Sequence, residues 1–176
     1  MKNQVIAFTG ISGVGKTTFL KELAKQVSFQ HLTGGSLIAA ARQAEPGQRD
    51  EMRHANLDEN QRLLISGFAV ARDPKASLVI MDGHVVIDDG NSLIELPSAV
   101  FRALGASLMI HLEADPAWIA ANRSRDKTRS RPQYTPDTLE QHQSASRSHA
   151  ATIASELDIG FHIVTHTDVG QFPTVL

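Results

Sequence analysis

One stretch of eight residues constrains the fold of this chain more than any other feature. Residues 10–17 read G-I-S-G-V-G-K-T and satisfy the pattern G-x-x-x-x-G-K-[ST]. A short apolar run from Val5 to Phe8 precedes the stretch, and Phe19, Leu20 and Leu23 follow it at helical spacing. A strand, a glycine-rich loop and a helix in this order form a site where loop amides and a helix N-terminus bind phosphate. The stretch therefore predicts an α/β fold that opens with a phosphate-binding loop, here called the P-loop.

Each position of the P-loop has a predicted task in binding a nucleoside triphosphate, the alternative being a merely flexible glycine loop. Glycines let the backbone amides turn inward around phosphate oxygens. The Lys16 ammonium is expected to reach the β- and γ-phosphates, and the Thr17 hydroxyl to bind the Mg²⁺ that bridges them. Thr18 is expected in the helix, near the α-phosphate. The predicted nucleotide-binding residues are Gly10, Ser12, Gly13, Val14, Gly15, Lys16, Thr17 and Thr18.

The rest of the chain alternates between short apolar runs and helical patterns, which favours an α/β fold. Five strands, counting the first, fit a parallel sheet with helices on both faces. The further strand candidates are Phe29 to Leu32, Leu78 to Met81, Leu108 to Leu112 and Phe161 to Val164. The helix candidates are Leu37 to Gln43, Leu57 to Arg72, Ser98 to Leu104, Pro116 to Arg125 and Pro136 to Leu157.

Composition limits the class of protein. A chain of 176 residues with 41% apolar residues and a net charge of -2 is expected to form one globular domain over residues 1–176. That charge disfavours a nucleic-acid binder, and the absence of cysteine excludes disulfides and thiolate chemistry. No apolar stretch approaches the ~20 residues of a membrane span. We expect a cytoplasmic protein without a membrane partner.

A second candidate element of the phosphate site is the carboxylate of Asp82. It ends the apolar run Leu78 to Met81, where a buried parallel strand would deliver it to the sheet edge beside the P-loop. Beside a P-loop, such a carboxylate is expected to bind Mg²⁺, directly or through water. The alternative is an aspartate that caps a turn with Gly83.

These residues resemble the nucleoside monophosphate kinases, most closely the archaeal-type adenylate kinases and their bacterial relatives. The resemblance rests on the P-loop, the segment from His31 to Ile38, the Asp82-Gly83-His84 turn and the stretch from Arg125 to Gln143. It implies a P-loop NTPase fold in which the γ-phosphate of ATP passes to the phosphate of a nucleoside monophosphate. It further implies an acceptor-binding helical region over about residues 33–73 and a short arginine-rich lid over about residues 122–136.

The same resemblance points to candidate acceptor-binding residues. Thr33 and Ser36 match the turn after the second strand, where the family contacts the acceptor nucleotide. Arg53 ends an Arg-Asp-Glu-Met-Arg stretch that is similar to the archaeal-type enzymes, and a surface arginine is its alternative reading. His84 is expected to contact the acceptor phosphate or orient Asp82, or else to serve the turn. Ile38 stands where many bacterial-type enzymes carry arginine, so the acceptor base is left open.

The predicted lid carries a local excess of positive charge. Between residues 122 and 132 five cations accompany one acid, and Arg125, Arg129 and Arg131 match the family's lid arginines by position. Arginine forks can follow the charge of a transferring phosphoryl group. A basic surface hairpin or an RNA contact is the alternative.

The sequence therefore favours an ATP- and Mg²⁺-dependent kinase with a nucleoside monophosphate acceptor, AMP first. Two alternatives stay open: a small-molecule kinase whose alcohol acceptor uses Asp82 as general base, and a nucleotide-gated binding ATPase. The oligomeric state does not follow from the sequence. The predicted catalytic residues are Lys16, Asp82, Arg125, Arg129 and Arg131, and the predicted metal ligands are Thr17 and Asp82.

Overall fold

Parallel strands organise the molecule. The computed structural model describes residues 4–42 and 57–176. Five parallel strands form the main sheet, as the sequence predicts. Their bounds are β1 Gln4–Thr9, β2 Gln30–Thr33, β3 Leu78–Asp82, β6 Leu108–Leu112 and β7 Gly160–Val164. Their order in the sheet is β2-β3-β1-β6-β7.

A small antiparallel hairpin lies outside this sheet and was not predicted from the sequence. Its strands are β4 (Val86–Asp88) and β5 (Leu93–Glu95). Strands of three residues are too short to show the alternation by which a strand is recognised. In the turn between them, the Asp89 carboxylate accepts hydrogen bonds from the amides of Asn91 and Ser92.

The helices lie close to their predicted bounds. The second begins at Gly34 rather than Leu37, and the first at Lys16. Two 3₁₀ turns, His166–Gly170 and Phe172–Thr174, follow β7 and were not predicted. The helix bounds are α1 Lys16–Leu23, α2 Gly34–Arg42, α3 Leu57–Ala71, α4 Ser98–Leu104, α5 Pro116–Arg125 and α6 Pro136–Leu157.

Alternation along β1 builds a core on each face of the sheet, because successive side chains of a strand point to opposite faces. Val5 and Ala7 belong to the cluster that includes residues of α3, α4 and α6. Ile6 and Phe8 belong to the other cluster, together with residues of α1 and α5. Helices therefore cover both faces, as predicted, and β1 is buried from both sides.

The carboxyl ends of the strands meet at one edge of the sheet. Phe8 of β1 is in register with Asp82 of β3, and Asp82 with Thr33 of β2. On the other side of β1, Thr9 pairs with His111 of β6. This edge brings the P-loop, the candidate carboxylate and the start of α2 into one region. Within residues 4–42 and 57–176, no helix has the length and apolar character needed to cross a membrane.

Candidate active site

The backbone of the P-loop requires glycine at two central positions. Gly13 and Gly15 have φ angles of +89° and +93°, a region that side chains disfavour. A Cβ at Gly13 would lie 2.7 Å from Cγ of Arg123, and one at Gly15 would lie 2.6 Å from the His166 ring. The loop is therefore both tightly wound and closely covered by side chains from distant parts of the chain.

The carbonyl of Gly10 receives two side-chain donors. The Lys16 ammonium donates to it at 2.9 Å, and Nδ1 of His84 lies 2.9 Å away. Because a carbonyl oxygen can only accept, His84 carries its proton on Nδ1 in this contact. The two predicted site residues Lys16 and His84 are thus brought together at the first turn of the loop.

Two further carbonyls of the loop are bound by side chains of α5. Nε of Arg123 donates to the Ser12 carbonyl at 2.8 Å, and the Asn122 amide donates to the Gly13 carbonyl at 3.3 Å. Arg123 is only 5% exposed, so the bond to Ser12 is made by a buried cation directly against the loop. Arg123 therefore adds a positive charge beside Lys16.

A fourth carbonyl is bound from the end of the chain. Nε2 of His166 lies 2.8 Å from the Val14 carbonyl and so donates to it. The His166 ring also contacts Trp118 of α5, with 4.9 Å between ring centroids. Trp118 is the single tryptophan of the chain and is 38% exposed. An intrinsic fluorophore thus stands at the loop.

These contacts fit a phosphate group. Side chains bind four carbonyls of the loop, and the Val14 amide bonds to the Ile11 carbonyl. Glycine-rich loops of this kind present their other amides to an anion. Gly15, the N-cap of α1, forms no side-chain capping bond within the described chain, so the first amides of the helix are left for an anion. The buried Ser12 hydroxyl has no hydrogen-bond partner among the described residues. The donor set is therefore that of an anion site with two cations.

Arg123 was missed by the sequence analysis, although a signal for it existed. The basic segment drew attention to Arg125, the last residue of α5, and to Arg129 and Arg131 after it, where the chain has no regular secondary structure. Arg123 lies four residues after Ile119, and these are the two buried residues of α5. Helical spacing from an apolar residue places the arginine on the inward face of the helix.

The three predicted lid arginines lie farther along the chain. Arg125 donates to the Ala121 carbonyl and to the Asn122 side chain of its own helix. Arg131 forms an ion pair with Asp126 at 3.0 Å, and Arg129 is exposed. The Thr128 hydroxyl and amide, followed by Arg131, lower the pKa of Asp126. A lid function for these arginines stays a prediction.

The candidate magnesium ligands are of the expected chemical type. Asp82 ends β3 and is 9% exposed, and its Oδ2 lies 3.3 Å from Nε2 of His31. Thr17 stands exposed in the first turn of α1. A carboxylate and a hydroxyl are hard oxygen donors, which suit Mg²⁺. His31, on the neighbouring strand, was not selected from the sequence because a lone histidine in a strand carries no pattern.

The predicted acceptor residues Thr33 and Ser36 contact each other. The Ser36 amide donates to Oγ1 of Thr33 at 3.1 Å, the N-terminal capping contact of a helix that begins at Gly34. The Thr33 hydroxyl donates to Oγ of Ser36 at 2.7 Å, and Ser36 donates to the Thr33 carbonyl. These bonds give both residues a role in starting α2. Arg53 lies outside the described residues, as does part of the predicted acceptor region.

A buried histidine lies beside the strand that carries the P-loop. His111 is fully buried, and its Nδ1 is 2.9 Å from Oγ1 of Thr9. The Thr9 hydroxyl gives its proton to the Ile110 carbonyl, so it accepts from Nδ1 of His111. Burial, then the nearby charges of Lys16 and Arg147, lowers the pKa of His111 to about 4. The ring is therefore neutral at pH 7.

The junction between β6 and α5 is held by α6. The Gln143 side chain accepts from the Ala114 amide and donates to the Ala114 carbonyl, both at 3.0 Å. One turn later, Arg147 contacts both carboxylate oxygens of Glu113 at 2.8 and 3.0 Å. The Asp115 carboxylate then caps α5 through the amides of Ala117 and Trp118. These contacts fix the direction in which α5 leaves the sheet and thus the position of Arg123.

Comparisons of the sequence place this site among known proteins. A family model described as AAA domain matches residues 9–140. The adenylate kinase of Thermoplasma volcanium is 32% identical over 146 residues, which cover 81% of this chain and 80% of that protein. The adenylate kinase of Thermoplasma acidophilum is 29% identical over 163 residues, covering 91% and 88%. These matches confirm the resemblance that the motifs predict.

Comparison of the structure gives the same fold. The shikimate kinase of Acinetobacter baumannii, in complex with shikimate, has a TM-score of 0.64 at 15% identity and covers 99% of this chain and 93% of that one. The shikimate kinase of Bacteroides thetaiotaomicron has a TM-score of 0.63 at 14% identity, covering 98% and 97%. At such low identity these likenesses concern the fold alone, and they confirm a P-loop kinase fold.

Proposed function

We propose that this chain, a P-loop kinase of the family that the AAA domain model describes, transfers the γ-phosphate of ATP to a nucleoside monophosphate. AMP is the first acceptor to be tested. The observation that carries the proposal is the P-loop with both Lys16 and the buried Arg123 bonded to its carbonyls. Two cations beside inward amides suit a polyphosphate better than a single phosphate.

Lys16 is the residue that would follow the transferring phosphoryl group. Its ammonium bonds to the Gly10 carbonyl through a flexible four-carbon side chain. Exchange of that carbonyl for a phosphate oxygen needs only a side-chain movement, since His84 also bonds to Gly10. Lys16 then stabilises the negative charge on the β- and γ-phosphates, while the rest of the loop keeps its shape.

A nucleoside monophosphate acceptor does not require a general base in the protein. A phosphate acceptor is already ionised near neutral pH, so in-line positioning and charge stabilisation are sufficient. Thr33 and Ser36 at the start of α2, together with His84, are the proposed acceptor contacts on the same sheet edge as Asp82. Support for the acceptor class comes from the relatives named adenylate kinase.

Thr17 and Asp82 are the residues that would hold Mg²⁺. When bound, the ion supplies charge neutralisation on the phosphate oxygens. Their oxygen donors fit such an ion, since Mg²⁺ is commonly held by one or two carboxylates together with substrate phosphates. The His31 ring beside Asp82 orients the carboxylate from the neighbouring strand.

A second candidate is transfer to the hydroxyl of a small molecule. The observation that favours it is the contact of His31 with Asp82, at 3.3 Å on the acceptor side of the sheet. An alcohol must lose its proton as it attacks, and a carboxylate or an imidazole held by a carboxylate can accept that proton. This reaction would not require a monophosphate.

A nucleotide panel tests both candidates. ADP production from MgATP is measured with no acceptor, with each nucleoside monophosphate, and with a set of sugar and hydroxy-acid alcohols. We expect stimulation by monophosphates, largest with AMP. Stimulation by an alcohol alone would support the second candidate, and ADP release that no acceptor changes would support a nucleotide-gated ATPase instead.

A linked ligand tests whether donor and acceptor sites face each other. A dinucleoside polyphosphate with two adenosines should bind more tightly than ATP, because one molecule uses both sets of contacts for a single association cost. Calorimetry compares the two ligands directly. Binding no tighter than that of ATP, combined with no AMP-dependent ADP formation, would reject AMP as acceptor and leave the P-loop kinase assignment in place.

A further inference from the structure

The buried Arg123 rests on an aromatic ring. Its Nε is committed to the Ser12 carbonyl at 2.8 Å, and its Cζ lies 5.9 Å from the centre of the Tyr134 ring. An arginine side chain has many rotamers, and its guanidinium keeps one orientation only where neighbouring groups hold it. A ring face under the guanidinium attracts the cation and restricts that plane.

Tyr134 is in turn held from two other elements. Its hydroxyl donates to Oδ1 of Asp88, in the hairpin, at 3.2 Å. The His142 ring of α6 packs edge-on against it, with 4.9 Å between centroids and an interplanar angle of 74°. Burial, followed by the bond to Asp88, raises the pKa of Tyr134, so the hydroxyl keeps its proton and can donate. The ring is therefore fixed by the hairpin and α6 together.

We propose that Tyr134 and Asp88 are positioning residues, which hold the Arg123 guanidinium against the P-loop in the orientation that receives the phosphates. The inference rests on the proposed binding of ATP, and it gives a role to the hairpin β4–β5. Asp88 holds the Tyr134 hydroxyl, and the Tyr134 ring in turn holds Arg123 against the loop. Neither Asp88 nor Tyr134 needs to touch the nucleotide.

The chain of contacts predicts graded effects. Tyr134→Leu removes the ring and should weaken MgATP binding about tenfold, the size expected for a desolvated cation–π contact. Tyr134→Phe keeps the ring and loses only the bond to Asp88, so it should restore most of the affinity. Asp88→Ala breaks the same bond from the other side, together with the bond between Asp88 and the Gly90 amide. Its effect on MgATP affinity should match that of Tyr134→Phe, and the two changes combined should not add.

A double-mutant cycle decides whether Tyr134 acts through Arg123. The dissociation constant of MgATP is measured by calorimetry and by Trp118 fluorescence for the wild-type chain, Tyr134→Leu, Arg123→Ala and the double variant. We expect the tenfold loss from Tyr134→Leu to vanish in the Arg123→Ala background. Thermal unfolding of each variant shows that the comparison is made on folded protein. If Tyr134→Leu does not fold, a cycle between Tyr134→Phe and Asp88→Ala takes its place and tests the bond that holds the ring.

The outcomes are distinct. A tenfold loss that persists without Arg123 would overturn the positioning role, as would a Tyr134→Leu chain that binds MgATP like the wild type. If Tyr134→Leu fails to fold, an Asp88→Ala effect that remains in the Tyr134→Phe background overturns it instead. A wild-type chain that binds no MgATP would reject the proposed function, and this inference with it.

Discussion

The P-loop and the predicted acceptor and lid residues are held in different ways. Beside Lys16 of the loop itself, three regions far from it in sequence supply side chains that bind the loop carbonyls, namely the turn at His84, α5 and the segment at His166. On the acceptor side, Thr33 bonds to Ser36, and in the lid segment Arg131 pairs with Asp126. Contacts across the fold shape the donor site before any ligand binds, whereas these local contacts fix short turns and leave the distance between acceptor and donor groups unspecified.

The largest test of this difference is the removal of a single charge from the loop. Lys16→Ala should lower phosphoryl transfer about 10³-fold, because it removes the ammonium proposed to stabilise the β- and γ-phosphates. It should leave the fold intact, since its ammonium bonds at the surface of the loop. Turnover is measured beside Lys21→Ala, a change at an exposed lysine of the same helix. A Lys16→Ala chain with ordinary turnover would remove the P-loop from the reaction.

A pH change tests the buried neighbour of the loop. The pKa of His111 falls from 6.5 to about 4 on folding, so the unfolded chain binds the extra proton between these values. The stability from this group is complete above pH 6.5 and is lost as the pH falls toward 4, by about 3 kcal/mol. Urea unfolding at several pH values measures the slope. His111→Leu should flatten it relative to His162→Gln, a change at an exposed histidine; equal slopes would contradict the assignment.

A backbone test addresses the tight cover over the loop. Gly15→Ala should destabilise the chain by about 2 kcal/mol, because the residue sits at φ +93° and its Cβ would press on His166 and Trp118. MgATP affinity should fall as well. The control is Gly170→Ala, where nothing lies within 4 Å of the added carbon. Similar melting temperatures for the two variants would show that His166 and Trp118 do not pack closely on Gly15.

At the predicted acceptor residues, substitutions should change stability less than at the P-loop and should affect the acceptor KM rather than MgATP binding. Thr33→Ala removes the capping bond of α2 and should cost about 1 kcal/mol of stability. If Thr33 also contacts the acceptor, the variant raises KM for the monophosphate and leaves MgATP binding unchanged. Steady-state kinetics with each substrate varied separately gives the split, with the exposed Thr152→Ala of α6 as control. An unchanged acceptor KM would restrict Thr33 to the helix cap.

The smallest effect is expected from the lid. Arg129 is exposed, so Arg129→Ala should leave stability and MgATP affinity unchanged and lower the transfer rate less than tenfold. The readout is single-turnover transfer at saturating substrates. A rate identical to that of the wild type, with Arg125→Ala and Arg131→Ala equally silent, would make the segment a surface feature.

The sequence predicted those parts of the fold that local pattern controls. The strand, glycine loop and helix around Lys16 carry a motif in which each residue type has a physical reason, and the apolar run before Asp82 marks a buried strand. The hairpin escaped prediction because strands of three residues, such as Val86–Asp88, leave no periodic signal. Its antiparallel pairing depends on tertiary contacts rather than on propensity.

For the candidate site too, the residues within the P-loop motif were predicted, whereas most of those that contact it from distant parts of the chain were not. Arg123 was missed although it lies within the basic segment, since choosing among neighbouring arginines requires the phase of the helix against the loop. His166 belongs to no motif of the sequence, and its bond to Val14 joins residues that are 152 positions apart. Tyr134 acquires its position from Asp88 and His142, which no spacing in the sequence connects.

The central position of β1 has a consequence for hydrogen exchange. This strand is paired with β3 on one side and β6 on the other, whereas β2 and β7 end the described sheet. Local openings that release the outer strands leave β1 paired, so its amides exchange only when the whole domain unfolds. The P-loop continues directly from this strand, and a ligand bound there must leave before that opening. Nucleotide at a free concentration L therefore slows exchange at Val5 to Phe8 by the factor 1 + L/Kd, which keeps rising after the site is saturated. The outer strands exchange at rates set by their own local openings.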